Sequence, residues 1–118
     1  LCKARINGKK ANLLIDTGAS NSCIHSELQD YFKLKKDGEP FEASGASKGK
    51  MEAIMTLNCK IKLGKKYNGE QAFALLDLSY VNRTLTAQGV QEIDGVIGAD
   101  FLKENKATID YVEGKLYL

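Results

Sequence analysis

Histidine occurs once in the 118 residues, as His25, and proline once, as Pro40. A metal centre needs three or four ligands, and nothing else clusters near His25, so neither a metal nor a cofactor is expected. The lone imidazole reads as a surface or capping group. Cysteine is sparse: Cys2, Cys23 and Cys59 lie far apart, in odd number, without the paired spacing of a zinc or thiol-redox motif. All three sit in apolar, strand-like stretches and are expected to be buried free thiols, which favours a reducing compartment such as the cytoplasm. No apolar run approaches the roughly 20 residues that cross a bilayer, so no membrane partner is expected. Net charge is only +2, with 17 Lys and Arg against 15 Asp and Glu, which is no nucleic-acid footprint. Lys33, Lys35 and Lys36 are interrupted by Leu34 and followed by Asp37, the pattern of a solvated loop. There are no repeats, and no signal-peptide pattern precedes the first strand-like residues. Residues 1–118 are expected to form one domain, cut from a longer protein, since the chain opens at Leu1 without methionine.

What is present is mostly strand. Residues 1–7 alternate, Gly8, Lys9 and Lys10 supply a hairpin turn, and residues 11–15 return. Ser26 with Gln29 three residues on has the capping-box pattern, and Leu28, Tyr31 and Phe32 would give a helix there one apolar face, ending near Leu34. Residues 51–63 alternate over their whole length and predict a single long strand. A turn over 65–69 and a returning strand over 71–78 follow. Residues 100–105 predict a short helix, and residues 107–111 and 115–118 closing strands. The expected class is all-β with one or two short helices.

Chemistry concentrates in Asp16-Thr17-Gly18-Ala19, delivered by the apolar run Asn12-Leu13-Leu14-Ile15. At average composition the tripeptide Asp-Thr-Gly arises by chance in roughly 2–3% of chains this long, so it decides nothing alone. It equally fits a strand ending in a polar turn, with Asp16 capping its own backbone and Gly18 at positive φ. A second segment adds weight: Val96-Ile97-Gly98, then Asp100-Phe101-Leu102, about eighty residues downstream.

An aspartate at the end of a buried strand followed by Thr-Gly-Ala, with a later apolar-apolar-Gly stretch leading into a short helix, resembles the retropepsins. These are the single-domain, dimeric aspartic proteases, and the likeness is closer to their cellular or bacterial branch than to the viral enzymes. It covers most of the chain and implies an acid-protease barrel, one lobe per chain. Viral members usually carry an acid after Asp-Thr-Gly-Ala and an arginine after the second glycine, a pair that braces the dimer. Here those positions hold Ser20 and Ala99.

The resemblance implies that Asp16 is the catalytic carboxylate, one from each of two copies, because one chain holds one Asp-Thr-Gly and two carboxylates must share a proton to activate water. Thr17 and Gly18 would support the loop. Leu14, Gly18, Ala19 and Val96 would meet a peptide or protein substrate, together with Ser44, Gly45 and Ala46 at the tip of a flap spanning residues 41–50. Asp94 stands either as a third carboxylate near the pair or as the first residue of an Asp-Gly turn. Two alternatives stay open: a catalytically silent dimerisation or peptide-binding module of the same fold, and a Cys23–His25 pair working as a thiol protease.

Overall fold

The computed structural model describes residues 2–43, 51–64, 67–105, 108–110 and 115–117. Nine strands make one sheet in the order β4-β5-β8-β3-β9-β2-β1-β6-β7: β1 Cys2–Ile6, β2 Lys9–Ile15, β3 Cys23–His25, β4 Phe41–Ala43, β5 Met51–Met55, β6 Cys59–Leu63, β7 Tyr67–Gln71, β8 Ala74–Leu76 and β9 Gly95–Ile97. A separate antiparallel ribbon joins β10 Thr108–Asp110 to β11 Lys115–Tyr117. The helices are α1 Ser79–Ala87 and α2 Ala99–Glu104. The molecule is strand-rich, as expected, with two short α-helices among the described residues.

Side-chain alternation along each strand sorts the interior into two layers. Leu13, Ile24, Leu75 and Ile97 point to one face and join Phe32, Phe73 and Phe101 in the larger core. Their neighbours Leu14, Cys23, Ala74, Leu76 and Val96 point to the other face, where Leu78, Ile93 and helix α1 cover them. The three core phenylalanines are fully buried, each contributing about 1.5–3 kcal/mol by transfer from water.

The first hairpin turns one residue earlier than expected. Asn7 and Gly8 both take positive φ, 49° and 84°, the geometry that Asn-Gly adopts in a two-residue turn, and β2 already begins at Lys9. The long strand over 51–63 is broken at Thr56. There the chain leaves the β5–β8 edge for the β1–β6 side, with the Thr56 amide bonded to the Phe73 carbonyl and its hydroxyl accepting from the Phe73 amide. Leu57, expected on the buried face, is therefore half exposed at 49%. Residues 71–78 split likewise into the end of β7 and a separate β8. Tyr67 to Gln71 pair with β6, so the turn expected over 65–69 narrows to the neighbourhood of Gly64; residues 65–66 lie outside the described residues.

The helix expected from Ser26 shrinks to a single 3-10 turn over Ser26–Leu28. No side-chain cap forms: Gln29 donates to the Leu34 carbonyl instead of reaching back, and Lys33 at φ 56° ends any helical path. Phe32 and Leu34 are nonetheless buried, while Tyr31 lies outside and carries the Lys9 ammonium 4.9 Å from its ring centre. His25 is buried rather than superficial, its Nδ1 accepting from the Leu78 amide at 3.4 Å and its Nε2 lying 3.6 Å from Glu27.

Helix α1 is the element that sequence pattern did not anticipate. Its Ser, Thr, Asn and Val residues are indifferent helix formers, so packing and clamps must hold it. Asp77 accepts the Ser79 amide at 2.9 Å, and the Ser79 hydroxyl and amide keep its carboxyl below the usual range. Buried Asn82 donates to the Ile93 carbonyl at 3.1 Å and accepts the Ile93 amide at 2.8 Å, fastening the helix to the segment entering β9. Asn82→Ala would strand both Ile93 groups away from water. It should lower unfolding stability by about 2–3 kcal/mol, seen as a reduced urea midpoint with unchanged slope.

Candidate active site

Strand β2 carries Asp16 to the end of its parallel pairing with β9, in which Leu13, Leu14 and Ile15 stand opposite Gly95, Val96 and Ile97. The pairing continues one step further, as the Asp16 amide donates to the Ile97 carbonyl at 3.0 Å. Beyond it the chain reverses through a tight turn, Ala19 N–H to the Asp16 carbonyl at 3.2 Å. The Gly18 amide donates to Asp16 Oδ1 at 2.9 Å, and the second carboxylate oxygen has no partner among the described residues. Asp16, Thr17 and Gly18 are all exposed.

Gly18 does not adopt a positive φ. A side chain there would sit 3.2 Å from Asp16 Oδ1, so its bareness keeps the approach to the carboxylate open. The Thr17 hydroxyl makes no hydrogen bond among the described residues. Gly98 is constrained more tightly: a Cβ would lie 2.7 Å from the Ala19 carbonyl oxygen and 2.9 Å from the Asn21 carbonyl. Any other residue would push the Asp16 loop off β9.

A polar brace lies beneath this loop. Asp100 Oδ1 accepts from both the amide and the hydroxyl of Ser22, at 2.9 and 2.8 Å, while Oδ2 accepts Gln71 Nε2 at 3.1 Å. The Ser22 hydroxyl in turn accepts the Gly98 amide at 2.9 Å, and the Ala99 amide donates to the Ala19 carbonyl at 2.7 Å. Ser22 is fully buried. Asp100 stands inside the second quoted motif and Ser22 three residues beyond the first, yet nothing in their local pattern announces that they meet across 78 residues.

Of the remaining residues singled out in the sequence, Leu14, Ala19 and Val96 come together in the smaller apolar layer, on the sheet face toward which Asp16 projects. Ser44, Gly45 and Ala46 lie outside the described residues; strands β4 and β5 that lead to them are paired, Phe41 opposite Ala53. Asp94 is a structural carboxylate. Its Oδ2 accepts the Asn12 amide at 2.8 Å and its own amide donates back to the Asn12 carbonyl, four residues or about 13 Å of strand from Asp16.

Cys23 and Cys59 are buried and free, and the Cys2 side chain lies outside the described residues. Burial pushes the Cys23 thiol from 9.0 up to about 11; a hydrogen bond with the Val96 backbone pulls the other way, and the charges of Asp100 and Asp16 add to the rise. With His25 Nδ1 occupied by the Leu78 amide, the geometry gives a thiol–imidazole pair nothing to work with.

An aspartyl protease family model matches residues 2–101. No curated protein sequence matches the chain. Among solved structures it is similar to the retroviral protease-like domain of Ddi1 from Leishmania major, with 18% identity, 99% of this chain and 85% of that one covered, and a TM-score of 0.68. It is also similar to the EIAV protease complexed with the inhibitor HBY-793, with 21% identity, 92% and 88% covered, and a TM-score of 0.61. At such identities these two likenesses speak for the fold, and the family match speaks for descent. The chain belongs to the aspartyl proteases and takes the retropepsin-like form of that family.

Proposed function

We propose that the protein is an aspartic endopeptidase whose active site is completed by a second copy of the chain. The observation that carries this reading is the state of its carboxylates. Asp94 is committed to Asn12 and Asp100 to Ser22 and Gln71, whereas Asp16 keeps an exposed oxygen with no partner among the described residues. One free acid cannot serve as both proton donor and acceptor, and a two-fold axis through the Asp16 loops supplies the other. The Thr17 hydroxyl, which has no partner among the described residues, is then available to bond across that axis.

In the reaction, one Asp16 carboxylate takes a proton from water as its oxygen attacks the scissile carbonyl. The protonated partner gives its proton to the carbonyl oxygen. The resulting tetrahedral diol collapses with proton transfer to the leaving nitrogen, and no covalent enzyme intermediate forms. The pair works only while it holds a single proton between its members, so the rate should rise and fall with pH around an acidic optimum. Extended peptide would bind as an added strand, closed over by the hairpin of β4 and β5. Leu14, Ala19 and Val96 would then contact the residue next to the cut, and Gly18 would let the peptide backbone approach.

Asp16→Asn removes both carboxylates at once. It should lower kcat/KM on a peptide library by at least about 10³-fold while the melting temperature holds or rises, because two repelling acids leave the axis. Cleavage by this variant at the wild-type rate would place the chemistry elsewhere, and absence of cleavage in the wild type as well would leave only a binding module. Specific activity should fall on dilution through the dimer dissociation constant, followed by sedimentation in parallel; constant activity from a monomer contradicts the shared site. Asp100→Ala should reduce kcat about tenfold and destabilise the fold by about 2–3 kcal/mol, by leaving the Ser22 groups unsatisfied. Asp100→Asn, which retains an acceptor oxygen, should recover part of both losses. Finally, a thiol held at about 11 rather than 9.0 carries about a hundredfold less thiolate at neutral pH. Iodoacetamide should therefore leave the Cys23 peptide unalkylated and activity intact, as read by peptide mapping.

A further inference from the structure

Helix α1 lies on the same face of the sheet as the Asp16 carboxylate, and its apolar side is only half covered. Alternation along β2 puts Leu14 and Asp16 on one face and Leu13 and Ile15 on the other. The adjoining strands obey the same division: Val96, Cys23 and Ala53 belong to the layer that Leu14 joins, while Ile97, Ile24 and Leu75 belong to the opposite core. Val81 and Leu85, one helical turn apart, are the α1 side chains packed against Leu14's layer. Leu14, Ala19 and Met55 are packed against the same buried cluster, so that these five partly buried apolar residues make up its rim.

This rim reaches Asp16 from both sides along the chain. Leu14 precedes it by two residues, about 6.6 Å of strand, and Ala19 is folded back beside it by the Ala19–Asp16 turn. That separation is about the distance from a scissile carbonyl to the end of the side chain next to it. The far side of the rim is held rigidly. Asn82 clamps α1 to Ile93, Asp77 caps its first turn, and His25 receives the Leu78 amide. A surface fixed by these polar bonds yet left half open on the carboxylate's side of the sheet is suited to receiving an apolar group of defined size.

We infer that α1 forms the outer wall of the pocket for the apolar side chain flanking the scissile bond, with Val81 and Leu85 as its specificity-determining residues. The inference rests on the proposed endopeptidase reading and extends it from β2 and β9 to a helix. The occupant is an aliphatic or aromatic side chain of the substrate: Val81, Leu85 and Leu14 are apolar, partly open and packed against the same buried cluster.

The test is a peptide library varied at the two residues flanking the cut, run with the wild type, Leu85→Ala, Val81→Phe, the milder Val81→Ile, and Asp16→Asn. Leu85→Ala should raise kcat/KM for a Phe-containing relative to a Val-containing peptide about tenfold, the scale set by adding room for a few methylenes. Val81→Phe should shift the ratio the other way, and Val81→Ile should do so more weakly. Melting curves identify any variant that has lost its fold, and Val81→Ile keeps the test alive if the larger changes do so. Asp16-dependent cleavage with ratios unchanged within twofold in every folded variant overturns this inference and leaves the endopeptidase reading standing. Unchanged ratios with a shifted dimer equilibrium also overturn it, because a second copy then covers the rim. If Asp16→Asn cleaves like the wild type, both readings fall together.

Discussion

Everything about the candidate site hangs on the close passage of Gly98 beneath the Asp16 loop. With only 2.7 Å between a would-be Cβ and the Ala19 carbonyl, the loop and the turn into α2 behave as one body. The parallel ladder of β2 and β9 brings the two segments to this point, and the Ser22–Asp100 bonds lock them there. In the proposed dimer a carboxylate that meets another across an axis would tolerate little displacement, and here its backbone amide is tied directly to the neighbouring strand. The loop needs no ion pair between Ser20 and Ala99 to keep its shape: those positions are joined to it through backbone, by the Ala99 amide to Ala19 and the Asp100 amide to Ser20.

Much of this was legible in the residues. The strand leading to Asp16, the Val96-Ile97-Gly98 stretch and the helix after it were foreseen from motif and spacing because each is a local pattern with a local physical cause. The sheet's two-faced character was equally plain in the alternation of residues 51–55 and 59–63. What escaped was set by distant partners. Residues 51–63 carry one unbroken alternation, and only the Thr56 bonds to Phe73 reveal where the strand must change neighbours. The Ser26 pattern promised a helix, but burying Phe32 and Leu34 together required the chain to turn at Lys33. Helix α1 was invisible for the converse reason: its residues have little helical preference, and the structure supplies the stability from Asn82 and the layer beneath.

The two apolar layers divide labour between them. The larger one holds the phenylalanines and most of the buried volume, so it carries the stability of the fold. The smaller one lies on the Asp16 side and keeps its outer side chains partly open. His25, read from the sequence as a surface or capping group, and Asp94, read as a turn residue or a third carboxylate, belong to the framework around that smaller layer, fixing α1 and the start of β9 respectively.

The pairing of β2 with β9 also has a bearing on how the chain comes into being. Asn12 and Asp94 are 82 residues apart, and Asp16 receives its carbonyl partner from Ile97. Parallel strands separated by most of a sequence close late, after the nearer hairpins have formed. On the ribosome, the β1–β2 hairpin can fold soon after it emerges, but the Asp16 loop has nothing to rest on until residues 97–100 have followed. A nascent chain therefore exposes the Asp-Thr-Gly sequence long before the Asp16 loop acquires its fixed form.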